Sequence, residues 1–162
     1  MERKMALNII EKVTDMMGVE PIVGQWIKIT QDNIDKFTES GGEEDWLHND
    51  PELCAKESPF EGKTIVQGNL LLSLHTSLAE SVSVNTKGFK YGLNYGYDRV
   101  RIIQPVTVNS NVRSKITVKE IIAKSNNTCL AKCDVITEVQ GIEKPALIAE
   151  WLFFVQFDLE QS

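Results

Sequence analysis

Gly68-Asn69-Leu70-Leu71-Leu72-Ser73-Leu74-His75-Thr76-Ser77-Leu78-Ala79 is the stretch on which the fold turns. Leucine stands at positions 70, 71, 72, 74 and 78, so a helix over Asn69–Ala79 is apolar on nearly every side. A helix of that kind is buried over most of its surface. The chain that follows can supply the cover. Phe89–Val106, Asn111–Ala123, Thr128–Val139 and Pro145–Phe157 carry two-residue alternation or β-branched enrichment. Asn126-Asn127 and Gln140-Gly141 supply hairpin turns between them. One buried helix followed by three or four long antiparallel strands predicts an α+β domain whose sheet wraps the helix.

Upstream of that helix the elements shorten. Ala6, Ile10, Val13 and Met17 recur at helical spacing before Gly18, so residues 1–18 read as an amphipathic helix packed on its own domain. Its polar face is not strongly basic, which disfavours a membrane-surface role. Ile22–Ile29 is a short strand candidate with Gly24 inside it. Thr30 suits the N-cap of a helix from Gln31 to about Thr38, with Ile34 and Phe37 facing inward. Gly41 and Gly42 end that helix, and Asp50-Pro51 opens another with a capping carboxylate and a proline at the first position. No repeat, low-complexity tract or linker divides residues 1–162, which read as one domain.

Composition bounds the function classes. At 162 residues, 42% apolar and 25% charged, the chain has the balance of an ordinary soluble globular domain. A net charge of −6 argues against a nucleic-acid partner, since phosphate contacts need a basic face. No apolar run reaches the length of a membrane span, and Met5–Ile10 is too short and too interrupted for a secretory signal. The expected compartment is the cytoplasm. Three cysteines, Cys54, Cys129 and Cys133, do not suggest a disulfide framework. Cys129 and Cys133 share one strand face, but without nearby histidines they make a poor metal site and read as packing.

Only His48 and His75 can carry histidine chemistry. His48 lies in a loop five residues after Glu43, between one helix end and the next helix start. A carboxylate and an imidazole from one loop can hold a water between them and share its proton. Gly68, just before the leucine-rich helix, leaves a backbone N–H open to a ligand oxygen, where the helix terminus adds partial positive charge. Taken singly, these read more simply as an acidic surface loop and a turn glycine.

Their combination is more specific. Gly42-Glu43-Glu44-Asp45-Trp46-Leu47-His48-Asn49-Asp50-Pro51 resembles the signature of the MaoC-like hydratases, in which Thr-Gly-Asp, three variable residues and an apolar-His pair precede Asp-Pro. Ser58-Pro59-Phe60 and Thr64 to Leu74 resemble that family's approach to its central helix. Tyr91 to Arg101, Pro105-Val106, Val112-Arg113 and Lys144 to Glu150 are similar to its nodulation-protein-N-like branch. The match runs from about Trp26 to the C-terminus.

The resemblance implies a hot-dog fold, an antiparallel sheet wrapped around a long central helix, and a homodimer with acyl sites at the subunit interface. It implies water addition to a 2-enoyl-CoA to give a 3R-hydroxyacyl-CoA, from CoA or carrier-protein thioesters, with no metal or organic cofactor. His48 takes the place of the family histidine, Gly68 that of the oxyanion glycine, and Thr76 that of a site serine. Two positions depart from the pattern. Glu43 replaces the aspartate, moving the charge outward by one methylene, with Asp45 as the alternative carboxylate. Gln67 replaces the histidine before the oxyanion glycine and cannot titrate. Trp46 and Tyr95 read as core aromatics or as lining of the acyl cavity, and His75 as a buried, hydrogen-bonded histidine. Two other readings stay open: a non-catalytic acyl-CoA or lipid-binding protein whose site has drifted, and an acyl-CoA thioesterase on the same fold.

Overall fold

In a computed structural model, which describes residues 20–78 and 88–158, a single curved sheet packs its inner face on the leucine-rich segment. The elements are β1 (Ile22–Val23), β2 (Ile27–Lys28), α1 (Gln31–Gly41), α2 (Trp46–Asn49), α3 (Pro51–Glu57) and α4 (Gly68–Ser73). After these come a 3-10 turn (Leu74–Leu78) and the strands β3 (Phe89–Ile102), β4 (Asn111–Ser125), β5 (Thr128–Val139) and β6 (Ile142–Phe157). The reading of residues 1–18 as a helix falls outside the described residues.

The sheet runs β1-β4-β5-β6-β3, with β2 also on β4, and every pairing is antiparallel. Its register follows from the alternation of burial. On β4 the buried positions are Val112, Ser114, Ile116 and Val118; on β6, from Ala149 onward, they are Ala149, Trp151, Phe153, Val155 and Phe157. A slip of one residue would turn each of these rows to solvent. β3 buries none of its residues fully and forms one border of the sheet. Gly92 is required there, because a Cβ would sit 2.1 Å from the Phe153 ring.

Turns and caps match the chemistry of the residues that build them. β4 ends at Ser125 and β5 starts at Thr128, so Asn126-Asn127 forms a two-residue connection. Gln140-Gly141 joins β5 to β6, with Gly141 at φ 80°. Thr30 and Asn33 form a reciprocal capping box on α1, and Gly42 closes it at φ 70°. Asp50 accepts from the Leu53 N–H at the start of α3, where Pro51 needs no acceptor. The strand expected over Ile22–Ile29 is two short pairings, split where Gly24 donates its N–H to the Ser114 carbonyl.

The architecture is the hot-dog arrangement, with one correction. The leucine-rich segment is not one long helix in the described residues: α4 lasts six residues and passes into the 3-10 turn. Hydroxyl groups favour that change. Ser73, Thr76 and Ser77 each donate to the carbonyl three residues back, those of Leu70, Ser73 and Leu74. Such local bonds compete with the α-helical ladder and suit a tighter winding. Leu71 is fully buried under the sheet, while Leu70, Leu72, Leu74 and Leu78 pack partly against it. No helix among the described residues is long and apolar enough to cross a membrane.

The cysteines belong to the packing. All three are buried and free. Burial pushes the Cys129 thiol up to about 11 and the Cys133 thiol to about 12, the latter helped by the Asp134 carboxylate. Neither is a thiolate near neutral pH, so neither has nucleophilic or ligating character there.

Candidate functional site

The candidate site forms where α2 and the segment leading into α4 are stitched together. Asp45 caps α2, accepting from the Leu47 N–H at 2.8 Å. This one-turn helix carries His48, half-buried, on its third position. Two bonds tie it to Ile65: the Ile65 N–H donates to the Leu47 carbonyl at 2.9 Å, and His48 Nδ1 lies 2.7 Å from the Ile65 carbonyl. A carbonyl oxygen can only accept, so Nδ1 carries the proton in this contact. Nε2 is therefore the nitrogen left to take a proton or hold a water.

Gly68 stands three residues beyond Ile65, so its Cα lies within about 10 Å of that anchor by chain reach. As the first residue of α4 it has an N–H with no acceptor within the helix. A Cβ here would meet Ile102 Cδ1 at 2.1 Å; the glycine keeps this approach to the helix start clear. Thr64 to Val66 are themselves clamped to the chain between β3 and β4, with Val66 N–H bonded to the Val106 carbonyl and Val108 N–H to the Thr64 carbonyl.

Glu43 lies in the short loop before α2, exposed, and its carboxylate makes no hydrogen bond or ion pair with any described residue. Asp45 is engaged as the α2 cap. Of the two carboxylates weighed from sequence, Glu43 is the uncommitted one.

The remaining expected residues divide. Gln67 is only 2% exposed, and its Nε2 donates to the Ile34 carbonyl at 3.1 Å and to Thr38 Oγ1 at 2.8 Å. Its amide nitrogen faces α1, and its Oε1 is buried without a partner. Thr76 is exposed, with its hydroxyl donated to the Ser73 carbonyl. Packing in the core does not describe Trp46, 39% exposed, or Tyr95, 68% exposed. Trp46 opens the one-turn α2, and Tyr95 sits on the border strand β3. His75 is fully buried, as expected of it: its Nε2 is 3.2 Å from the Tyr97 hydroxyl, and its ring meets Tyr97 and Trp151 edge-on. Burial holds its pKa below 6.5, the Leu72 carbonyl opposing weakly.

A polar set that was not singled out from sequence surrounds this site. Gln31, Thr38, Asn49 and Thr64 bond to one another, to Asp35 and to the His48 carbonyl. The available signal was spacing: Gln31 and Thr38 lie two turns apart on the helix that buries Ile34, and Asn49 adjoins His48.

The loop–helix arrangement agrees with a family model described as a MaoC like domain, which matches residues 13–140. The chain belongs to the MaoC-like family. Among its relatives, Nodulation protein N of Rhizobium leguminosarum bv. viciae is 35% identical over 146 residues, covering 90% of each chain. The 3-hydroxyacyl-thioester dehydratase Z of Mycobacterium tuberculosis is 38% identical over 147 residues, covering 89% of this chain and 95% of that one. The solved structure of the R-hydratase PhaJ1 from Pseudomonas aeruginosa, in its unliganded form, superposes with a TM-score of 0.69 at 16% identity. It covers 90% of this chain and 86% of that one, and supports the shared fold.

Proposed function

We propose that this MaoC-like protein hydrates and dehydrates acyl thioesters, interconverting a 2-enoyl-CoA and a 3R-hydroxyacyl-CoA. The observation that carries the reading is the pairing of His48 Nδ1 with the Ile65 carbonyl. It leaves Nε2 as the open ring nitrogen, on a one-turn helix tied to the chain three residues ahead of Gly68. In this mechanism the thioester oxygen accepts from the Gly68 N–H at the α4 terminus, where negative charge develops on an enolate-like transition state. Water is held between Glu43 and His48 Nε2. Glu43 takes a proton from the water as the water oxygen adds to the β-carbon. His48 positions that water and helps pass the same proton on to the α-carbon, which returns both side chains to their starting state. Base, proton carrier and oxyanion donor all come from the chain, so the scheme calls on no metal or organic cofactor. The relative named as a 3-hydroxyacyl-thioester dehydratase supports the same class of reaction.

We place the working unit as a homodimer. β3 borders the sheet and exposes Tyr91, Leu93 and Tyr95 at alternate positions. An exposed apolar border strand is a ready edge for a second copy.

Three measurements on one protein sample separate the competing activities. Loss of the conjugated enoyl absorbance of crotonyl-CoA, with formation of the R product, is the expected result. Release of free CoA thiol from a saturated acyl-CoA would instead make it a thioesterase. Acyl-CoA binding without turnover across several enoyl chain lengths would make it a binding protein. The last reading is favoured by a specific feature, since Glu43 and Gln67 both depart from the family pattern.

A further inference from the structure

We infer that Thr38 and Asn49 are positioning residues that set His48 relative to the amino end of α4, an assignment resting on the hydratase reading above. The two halves of the site come from separate parts of the chain, and α1 bridges them by side-chain hydrogen bonds. On the α4 side, Gln67 Nε2, adjacent to Gly68, donates to Thr38 Oγ1 at 2.8 Å. Thr38 Oγ1 then donates to Asn49 Oδ1 at 2.8 Å, adjacent to His48. Asn49 Nδ2 is held in turn by Asp35 Oδ1 at 2.9 Å. The relay therefore begins one residue before the oxyanion glycine and ends one residue after the histidine.

Its direction is fixed by chemistry. Gln67 Nε2 also donates to the Ile34 carbonyl, which only accepts, so the amide cannot be flipped. Thr38 must then accept from Gln67 and has its single proton left for Asn49. Each group has one role, and no rotation of Thr38 satisfies both neighbours differently. A second tie reinforces the first: Gln31 Nε2 donates to the His48 carbonyl at 2.7 Å, while Gln31 Oε1 accepts from Thr64 Oγ1 at 2.7 Å. Thr64 lies one residue before Ile65, the acceptor for His48 Nδ1. Every link joins α1 to one of the two site segments.

The glutamine at position 67 takes on meaning here. A neutral amide gives a relay in which none of Gln67, Thr38 and Asn49 titrates. Its buried Oε1 remains without a partner, so the residue acts through its nitrogen.

The test is the steady-state kinetics of crotonyl-CoA hydration by Thr38→Val, Thr38→Ser and Asn49→Ala beside the wild type. Valine keeps the shape of threonine and removes both relay bonds. Displacing a reacting group by about an angstrom can cost about a hundredfold, so kcat falls roughly 10- to 100-fold in Thr38→Val while KM stays within about twofold. Thr38→Ser restores most of the rate, and the pH–rate profile keeps its wild-type shape, because the titrating groups are unchanged. Asn49→Ala, at the half-buried last position of α2, breaks the relay from the other end and lowers kcat in the same way even if Thr38→Val fails to fold. Wild-type kcat in Asn49→Ala, or a loss not restored by serine, overturns the positioning role and leaves the hydratase reading standing. An inactive wild type overturns that reading and the positioning role with it.

Discussion

His48 owes its proposed reactivity to a backbone acceptor. With Nδ1 held by the Ile65 carbonyl, the ring cannot rotate to offer the wrong nitrogen. Gly68 contributes a missing side chain. A methyl there would press on Ile102 Cδ1, the tip of an exposed and adaptable side chain. Gly68→Ala is therefore expected to fold, with stability within about 1 kcal/mol of the wild type, yet to lose about tenfold or more in kcat/KM as the approach to the N–H is crowded. Thermal melting and initial rates check the two halves separately. His75 gives a prediction of another kind. Burial lowers its pKa below 6.5, so the unfolded chain binds a proton that the folded chain refuses. Stability is complete above pH 6.5 and falls as the pH drops through the folded value. The melting temperature should decline on acidification over that range, and His75→Phe should flatten this part of the curve. An equally steep decline in His75→Phe would remove His75 as its cause.

Among the elements, alternation in the sheet was plainly legible. Residues such as Val112, Ile116 and Val118 alternate with polar neighbours, and both hairpin turns fall where Asn-Asn and Gln-Gly mark them. The caps at Thr30 and Asp50 were equally readable, because the N-cap bond needs only the right side chain at one position. The central helix was not. Leucine spacing records burial but not the winding, and the back-bonding of Ser73, Thr76 and Ser77 acts below the level of an apolar pattern. The exposure of Tyr95 and Trp46 was also hidden, since whether an aromatic finds a cover depends on strand order. The relay through Thr38 and Asn49 joins residues eleven apart with no periodic signal. Gly92 offers a test of the packing: its position demands the absence of a Cβ beneath the buried Phe153 ring. Gly92→Ala should destabilise the fold by about 1–3 kcal/mol, read as a lower denaturant midpoint with an unchanged slope.

For the whole molecule, the sheet leaves β3 as an apolar border and leaves α4 and the 3-10 turn partly uncovered on Leu70, Leu72, Leu74 and Leu78. A homodimer joined along β3 would cover the first of these. Light scattering behind size-exclusion chromatography should give twice the chain mass, and Leu93→Lys should shift it toward one copy. A monomeric wild type would contradict this assembly. Everything functional in the account rests on Glu43 and His48 acting together on one water beside the Gly68 N–H. The most direct measurement is kcat for crotonyl-CoA hydration by Glu43→Ala and His48→Ala against the wild type. Removal of either group should lower kcat by about 10²- to 10⁴-fold with folded stability retained; wild-type rates in both variants would contradict the mechanism.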